Sequence, residues 1–238
     1  MWNKRVNEKE MRKDLKKSLE ELKTDYIDIY MLHRDDLDTD VAVAVETFNA
    51  MHEERSIRAF GASNWMHTRI EEANEYAYKH NLIPFSVSSP NFCLARQVED
   101  PWGGGCVNIS GPENQEARAW YEKNQMPVIA YASLGRGFFS GRMKSEYADH
   151  ASDYLDSFAM TGYACSDNFE RLRRCEIIAE RHGVTVAQIA MNWIFSHPLN
   201  IFAIASMSKA DRMKANREAL LLQLSDEEIA YLDLETPE

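Results

Sequence analysis

Where the short β-prone runs of this sequence give way to polar residues stand His33, Ser63-Asn64, Ser88-Ser89, Tyr131 and Ser206. Each type does a different job. An imidazole at His33 can donate a proton or orient a carbonyl oxygen, and it can equally bond a backbone carbonyl. Asn64 offers donor and acceptor together, and with the Ser63 hydroxyl it suits a ligand amide; the same pair reads as a turn followed by a helix cap. Tyr131 can stack on a flat ring or pack in a core. Ser208, Lys209 and Arg212 open a late helical pattern. The free N–H groups and positive dipole end there would receive a phosphate, or the residues simply cap a solvated helix. Arg34-Asp35-Asp36 reads as a salt-bridged loop, because two adjacent aspartates with no third ligand in view make a poor metal site. No Gly-x-Ser-x-Gly elbow is present, which removes support for a hydrolase triad.

These residues need a frame, and alternating patterns supply one. Met11, Leu15, Leu19 and Leu22 recur at helical spacing, with Asn7 and Glu10 placed for a capping box. A β-prone run, 26–32, follows and ends at His33. Val41, Ala44, Val45, Phe48 and Met51 mark a second helix. Strand patterns recur over 58–63, 85–88, 128–131 and 201–204, and helical ones over 67–80, 113–124, 168–181, 186–197 and 209–219. Thr185 with Gln188, and Ser225 with Glu228, are placed to form capping boxes. That makes five strand–helix units behind a leading helix. Sequential strands separated by helices imply parallel pairing. An open doubly wound sheet and a (β/α)₈ barrel both fit, and in either the residues just past the strands share one face. The connection 89–111, with Trp102-Gly103-Gly104-Gly105, is long enough to suggest a cap over a site, with Phe92 and Trp102 as its apolar lining.

Bulk properties narrow the function. The chain has 238 residues, 45% hydrophobic, with a formal net charge of -11. A core is affordable in such a composition, and an acidic surface argues against nucleic acid as partner. No apolar run is long enough to cross a membrane, and the polar start shows no signal peptide. Cys93, Cys106, Cys165 and Cys175 form no C-x-x-C pair and read as isolated thiols of a reducing compartment, so the expected location is cytoplasmic.

Over essentially its full length the sequence resembles the aldo-keto reductase superfamily. The segment from Leu19 to His33 resembles the family stretch that ends in the active-site histidine. Gly61-Ala62-Ser63-Asn64 resembles the family's Gly-x-Ser-Asn, whose side chains hold a nicotinamide carboxamide. Tyr131 lies in Ala130-Tyr131-Ala132-Ser133-Leu134-Gly135-Arg136-Gly137, similar to the stretch whose aromatic ring stacks on the nicotinamide. Leu134 and Arg136 then lie near the pyrophosphate. Ser206 to Asn216 resembles the adenosine-phosphate segment, which implies cofactor contacts from Ser206, Ser208, Lys209, Arg212 and Asn216. The resemblance implies an α/β fold, a (β/α)₈ barrel of aldo-keto reductase type, incomplete, with about five β/α units retained. It implies reversible hydride transfer between NADPH and an aldehyde or ketone, with NADP the better fit than NAD.

Four departures qualify the expectation. Ser89, in Ser89-Pro90-Asn91-Phe92, stands where the family places a Gln, and its shorter side chain reaches a carboxamide less easily. The phosphate loop is less basic than in many members, and Ser133 replaces a common proline. The family's Tyr acid, Lys and Asp come from segments ahead of the histidine strand; here Lys13, Asp14 and Lys16 lie on the leading helix rather than at strand ends, and no Tyr occurs before Tyr26, which begins the strand itself. Only His33 is therefore carried over as catalytic. The expectation is one oxidoreductase domain over 1–238, N-terminally truncated, with a small carbonyl compound as substrate if active. Open sheet edges would invite self-association. The alternatives are a non-catalytic cofactor-binding or interaction protein, or an inactive fragment.

Overall fold

Helix and strand alternate through the computed structural model, which describes residues 5–206 and 210–236. Two compact units divide the chain, Met1–Ser89 and Pro90–Glu238.

In the first unit α1 (Glu8–Leu22) leads into β1 (Ile27–Leu32), α2 (Val41–Glu53), β2 (Ile57–Ser63), α3 (His67–Lys79) and β3 (Val87–Ser89). The strands pair in parallel, β1 on β2 and β2 on β3. Parallel neighbours need a crossover, and α2 and α3 are those crossovers. Val41, Ala44, Val45, Phe48 and Met51 are all buried on α2, as their spacing predicts. Phe48 stacks on Phe60 of β2 at 5.0 Å and meets Phe85 edge-on at 5.8 Å. Phe85 was expected inside the third strand. It lies ahead of β3 instead, because its N–H is taken by the Asn74 side chain (2.8 Å).

On α1 the expected capping box is half formed. The Asn7 side chain accepts the Glu10 N–H at 3.0 Å. The Glu10 carboxylate pairs with Arg5 at 2.7 Å, an ionic partner that competes with the return bond of a box. Met11 and Leu15 are buried, but Leu22 is 64% exposed. The stripe stops there because the left-handed Lys23 ends the helix.

The second unit contains α4 (Gln115–Asn124), β4 (Val128–Ala130), α5 (Ser157–Tyr163), α6 (Ser166–His182), α7 (Val186–Phe195), β5 (Ile201–Ala203), α8 (Ala210–Glu218) and α9 (Asp226–Leu232). β4 and β5 pair in parallel. The irregular region 133–165 contains 3₁₀ turns at Gly135–Gly137 and Ser145–Asp153 as well as α5. Both expected capping boxes in this unit form, Thr185 with Gln188 and Ser225 with Glu228. Gln188 through Ile194 of α7 are all buried, making this helix the unit's central support. Among the described residues no helix is long and apolar enough to cross a membrane.

Candidate functional site

The strand registers of the first unit bring four of the expected residues together. Leu32 stands opposite Ala62, and Ser63 opposite Ser89. The three strands therefore end side by side, and His33, Asn64 and Ser89 meet at their ends. Asn64 adopts a left-handed backbone (φ 60°), which Asn tolerates better than most residues. That turn swings its side chain back over the strand ends. Its Nδ2 donates to the His33 carbonyl (3.1 Å) and to Ser63 Oγ (3.0 Å). Ser63 Oγ donates to the Ser89 carbonyl at 2.8 Å, and the Asn64 N–H reaches the same oxygen at 3.2 Å. Ser63, Asn64 and Ser89 are buried, while the His33 ring is exposed.

Partial desolvation by surrounding protein atoms, and then the Arg34 charge, lower the His33 pKa from its ordinary value. Both effects favour the neutral imidazole, which can donate one N–H. The loop after it is fixed from behind. Asp35 pairs with Arg69 of α3 at 3.4 Å, with both side chains largely buried. Asp36 accepts the Asp38 N–H (3.2 Å) and the Thr39 hydroxyl (3.2 Å). The expected salt-bridged loop is present, with its cation coming from Arg69.

The second unit holds a cavity of about 820 Å³. Tyr131, Leu134, Arg136, Ser206, Arg212 and Asn216 all line it, so six of the expected cofactor residues share one wall system. Ser208 and Lys209 lie outside the described residues. The backbone after β4 shapes this wall by tight left-handed turns at Ala132 (φ 54°), Gly135 (φ 56°) and Arg136 (φ 52°). Ser133, in the place of a proline, ties the turn down by donating to the Ile204 carbonyl (2.8 Å), with the Ala130 carbonyl also within reach at 3.2 Å. Tyr131 is held through its own backbone, its N–H on the Pro90 carbonyl at 3.2 Å. Arg136 is already engaged. Its Nε lies 3.0 and 3.1 Å from the two Asp156 oxygens, and its guanidinium sits 4.7 Å over the Phe158 ring. Asp156 is partly desolvated, which raises its pKa, but the Arg136 bond and the Ala159 N–H at the start of α5 outweigh this and hold it below the ordinary carboxylate value.

Among the other cavity residues, Arg142 escaped the sequence reading, whereas Trp102 lies in the lining as expected. Arg142 adds a further guanidinium to the wall. Trp102 lines the cavity and meets the Tyr131 ring edge-on at 5.9 Å. Its loop is pinned by Asp100, whose carboxylate accepts the N–H groups of Trp102 (2.8 Å) and Cys106 (2.9 Å). Phe92, expected to share the lining, is fully buried against Trp193 (5.2 Å) and His197 (5.1 Å). It is a core residue. The reason is local: an isolated bridge ties Asn91 to Asn108 and to Tyr131, and this turns the following side chain inward.

A volume of this size, an aromatic ring, an amide and three guanidiniums fit a large anionic ligand carrying a flat ring. Among the described residues no group of His, Cys, Asp and Glu is arranged to hold a metal ion.

Comparison with known proteins identifies relatives of the chain. The sequence profile described as the Aldo/keto reductase family matches residues 1–234. The chain is 25% identical over 230 residues to the norsolorinic acid reductase of Aspergillus flavus, covering 94% of this chain and 52% of that protein. It is 23% identical over 227 residues to an aryl-alcohol dehydrogenase of Pestalotiopsis microspora, covering 94% of this chain and 53% of that one. The chain thus spans about half the length of these curated relatives. In fold it is similar to a thermostable aldo-keto reductase crystallised with the inhibitor epalrestat, with a TM-score of 0.69, 23% identity, and coverage of 97% of this chain and 67% of that one.

Proposed function

The chain belongs to the aldo/keto reductase family, and from that premise we propose that it binds a nicotinamide dinucleotide, NADP ahead of NAD, and reduces an aldehyde or ketone to the alcohol. The observation that carries this reading is the gathering of Tyr131, Leu134, Arg136, Ser206, Arg212 and Asn216 on one cavity. The dinucleotide supplies the hydride when bound. The chain supplies binding and orientation. Tyr131 offers a flat face to the nicotinamide. Arg136 and Arg142 carry positive charge for the pyrophosphate, and Arg212 for a 2′-phosphate, which is the reason NADP is placed first. Ser63 and Asn64 hydrogen-bond the carboxamide. His33 orients the carbonyl oxygen through its N–H. The four free thiols suit a reducing compartment such as the cytoplasm.

A second reading, cofactor binding without turnover, is favoured by the side chains ahead of His33. Asp14 is held by the Arg5 guanidinium on the surface of α1. The Tyr26 ring lies 4.1 Å beneath the Arg58 guanidinium. Both side chains are engaged in these pairs.

One assay separates the two. Oxidation of NADPH by the purified chain is followed with an aryl aldehyde, the first carbonyl suggested by the name of the aryl-alcohol dehydrogenase relative. Turnover that falls by about 10²–10⁴-fold in His33→Ala establishes the reductase. Cofactor binding by fluorescence titration without turnover establishes the second reading. No binding at millimolar cofactor removes both.

A further inference from the structure

The helix that carries Arg212 and Asn216 has little to hold it. α8 is nine residues long and buries none of them. Isolated helices shorter than ~12–15 residues are marginal in water, and most helices in proteins are held by one buried face. α7 shows the usual arrangement, with Ile189, Ala190, Met191, Trp193 and Ile194 buried. On α8, Met213 is 60% exposed. The Lys214–Glu218 pair (3.9 Å) is internal to the helix. Among the described residues no α8 side chain bonds to another element. The firm attachment comes just after the helix. Ala219 is fully buried, and the Asn192 side chain, 5% exposed on α7, donates to the carbonyls of Ala219 (2.9 Å) and Leu222 (3.0 Å).

What α8 does present is a stripe toward the cavity. Asp211 and Ala215, and Arg212 and Asn216, are i,i+4 pairs on adjoining rows of the helix, and all four line the cavity wall. The other basic cavity residues, Arg136 and Arg142, come from the segment after β4. A phosphate-bearing ligand touching both sets would tie α8 to the rest of the wall. We infer that α8 is a flap, anchored at Ala219 by Asn192, that is closed by the nucleotide phosphate end of the ligand rather than by the core. The inference rests on the cofactor reading above and adds what the ligand does to the fold. Opening costs little because no residue of α8 is buried, so closure depends on ligand contacts to Arg212 and Asn216.

Hydrogen–deuterium exchange of the full chain, read on peptides covering 210–218, tests this, with binding measured separately by titration calorimetry. The probe is adenosine 2′,5′-bisphosphate, and nicotinamide mononucleotide is the second arm. At a hundredfold excess over its Kd the bisphosphate is expected to slow exchange across α8 by up to about 100-fold. α7 peptides should change far less, and the mononucleotide should leave α8 unprotected. Arg212→Ala removes an exposed side chain and opens no hole in the core. In that variant α8 should stay fast-exchanging at the bisphosphate concentration that closes the parent chain. Calorimetric binding with no change in α8 exchange overturns the flap, and so does slow α8 exchange before any ligand is added. If neither probe nor the intact dinucleotide binds, the cofactor reading fails first and the flap with it.

Discussion

At the scale of single residues, two groups packed beside Trp193 are shifted in opposite senses. Asp233 is pushed up to about 6 by burial, against the opposing hydrogen bond from Trp193 Nε1 (3.0 Å). Glu235 adds to the rise, and Arg171 and Arg118 oppose it. His197 is pushed down to about 4 by burial, assisted by the Arg118 charge. It packs edge-on against Trp193 at 4.4 Å. For Asp233 the folded value lies above the unfolded one, so its stabilising share is present below about 4 and is lost as pH rises through about 6. For His197 the folded value lies below the unfolded one, so its share is present above about 6.5 and is lost as pH falls through about 4. Over much of the same window the two slopes oppose each other. Asp233→Asn keeps an acceptor for Trp193 and removes one slope. Measured by urea unfolding, the variant should gain on the parent chain between pH 4 and 7.5 by at most about 3 kcal/mol. A difference that is constant over that range would show that Asp233 is not held up by burial. None of this was legible in the sequence, because nothing in the spacing of Asp233 or His197 marks them as half-buried beside the same tryptophan.

Elements were legible where a local pattern carries the physics. Period and caps located α2, α7 and α9, since each depends on residues within a few positions of itself. His33, Asn64 and Tyr131 were legible because a polar residue closing a β-prone run must emerge at the strand end. Arg142 was not, because it reaches the cavity from an irregular segment with no period to read. Phe92 misled for the same reason: an aromatic residue in a loop looks alike whether it caps a site or fills a core. Glycine shows the contrast within the elements themselves. At Gly61 in β2 a Cβ would lie 1.8 Å from the Val87 carbonyl oxygen and 2.8 Å from Val87 Cγ1. Backbone cannot yield there without parting β2 from β3, whose register pairs these two residues. Gly183, the left-handed cap of α6 (φ 65°), has no heavy atom within 4 Å of its added Cβ. Gly183→Ala should therefore cost only the left-handed strain, about 1–2 kcal/mol. Gly61→Ala should cost more than about 4 kcal/mol or prevent folding. Thermal unfolding of the two variants side by side checks the order, and equal losses would mean that the β2–β3 approach is looser than described.

For the molecule as a whole, charge and ligand pull against each other. The chain carries a net charge of -11, yet the ligand proposed for it is itself an anion. Binding therefore depends on a local reversal of sign, which Arg136, Arg142 and Arg212 provide at the cavity wall. Arg136 is shared with Asp156, so part of that positive charge is already neutralised before a ligand arrives. The cavity lies wholly within Pro90–Glu238, and so does every residue that lines it. A ligand that binds there and not to the unfolded chain stabilises that unit by mass action, about 2.7 kcal/mol at a hundredfold excess over Kd. For a folding unit of this size, each kcal/mol raises the midpoint by roughly 2–4 °C. Differential scanning calorimetry with NADPH at that excess should then raise the transition containing Pro90–Glu238 by about 5–10 °C. Arg212→Ala, at the same total ligand, should recover less than half of that rise. The shift should also shrink as salt is added, because the contacts that produce it are ionic. A transition unmoved by NADPH would remove this cavity as the ligand site, and a shift insensitive to both Arg212→Ala and salt would place the ligand away from the three guanidiniums.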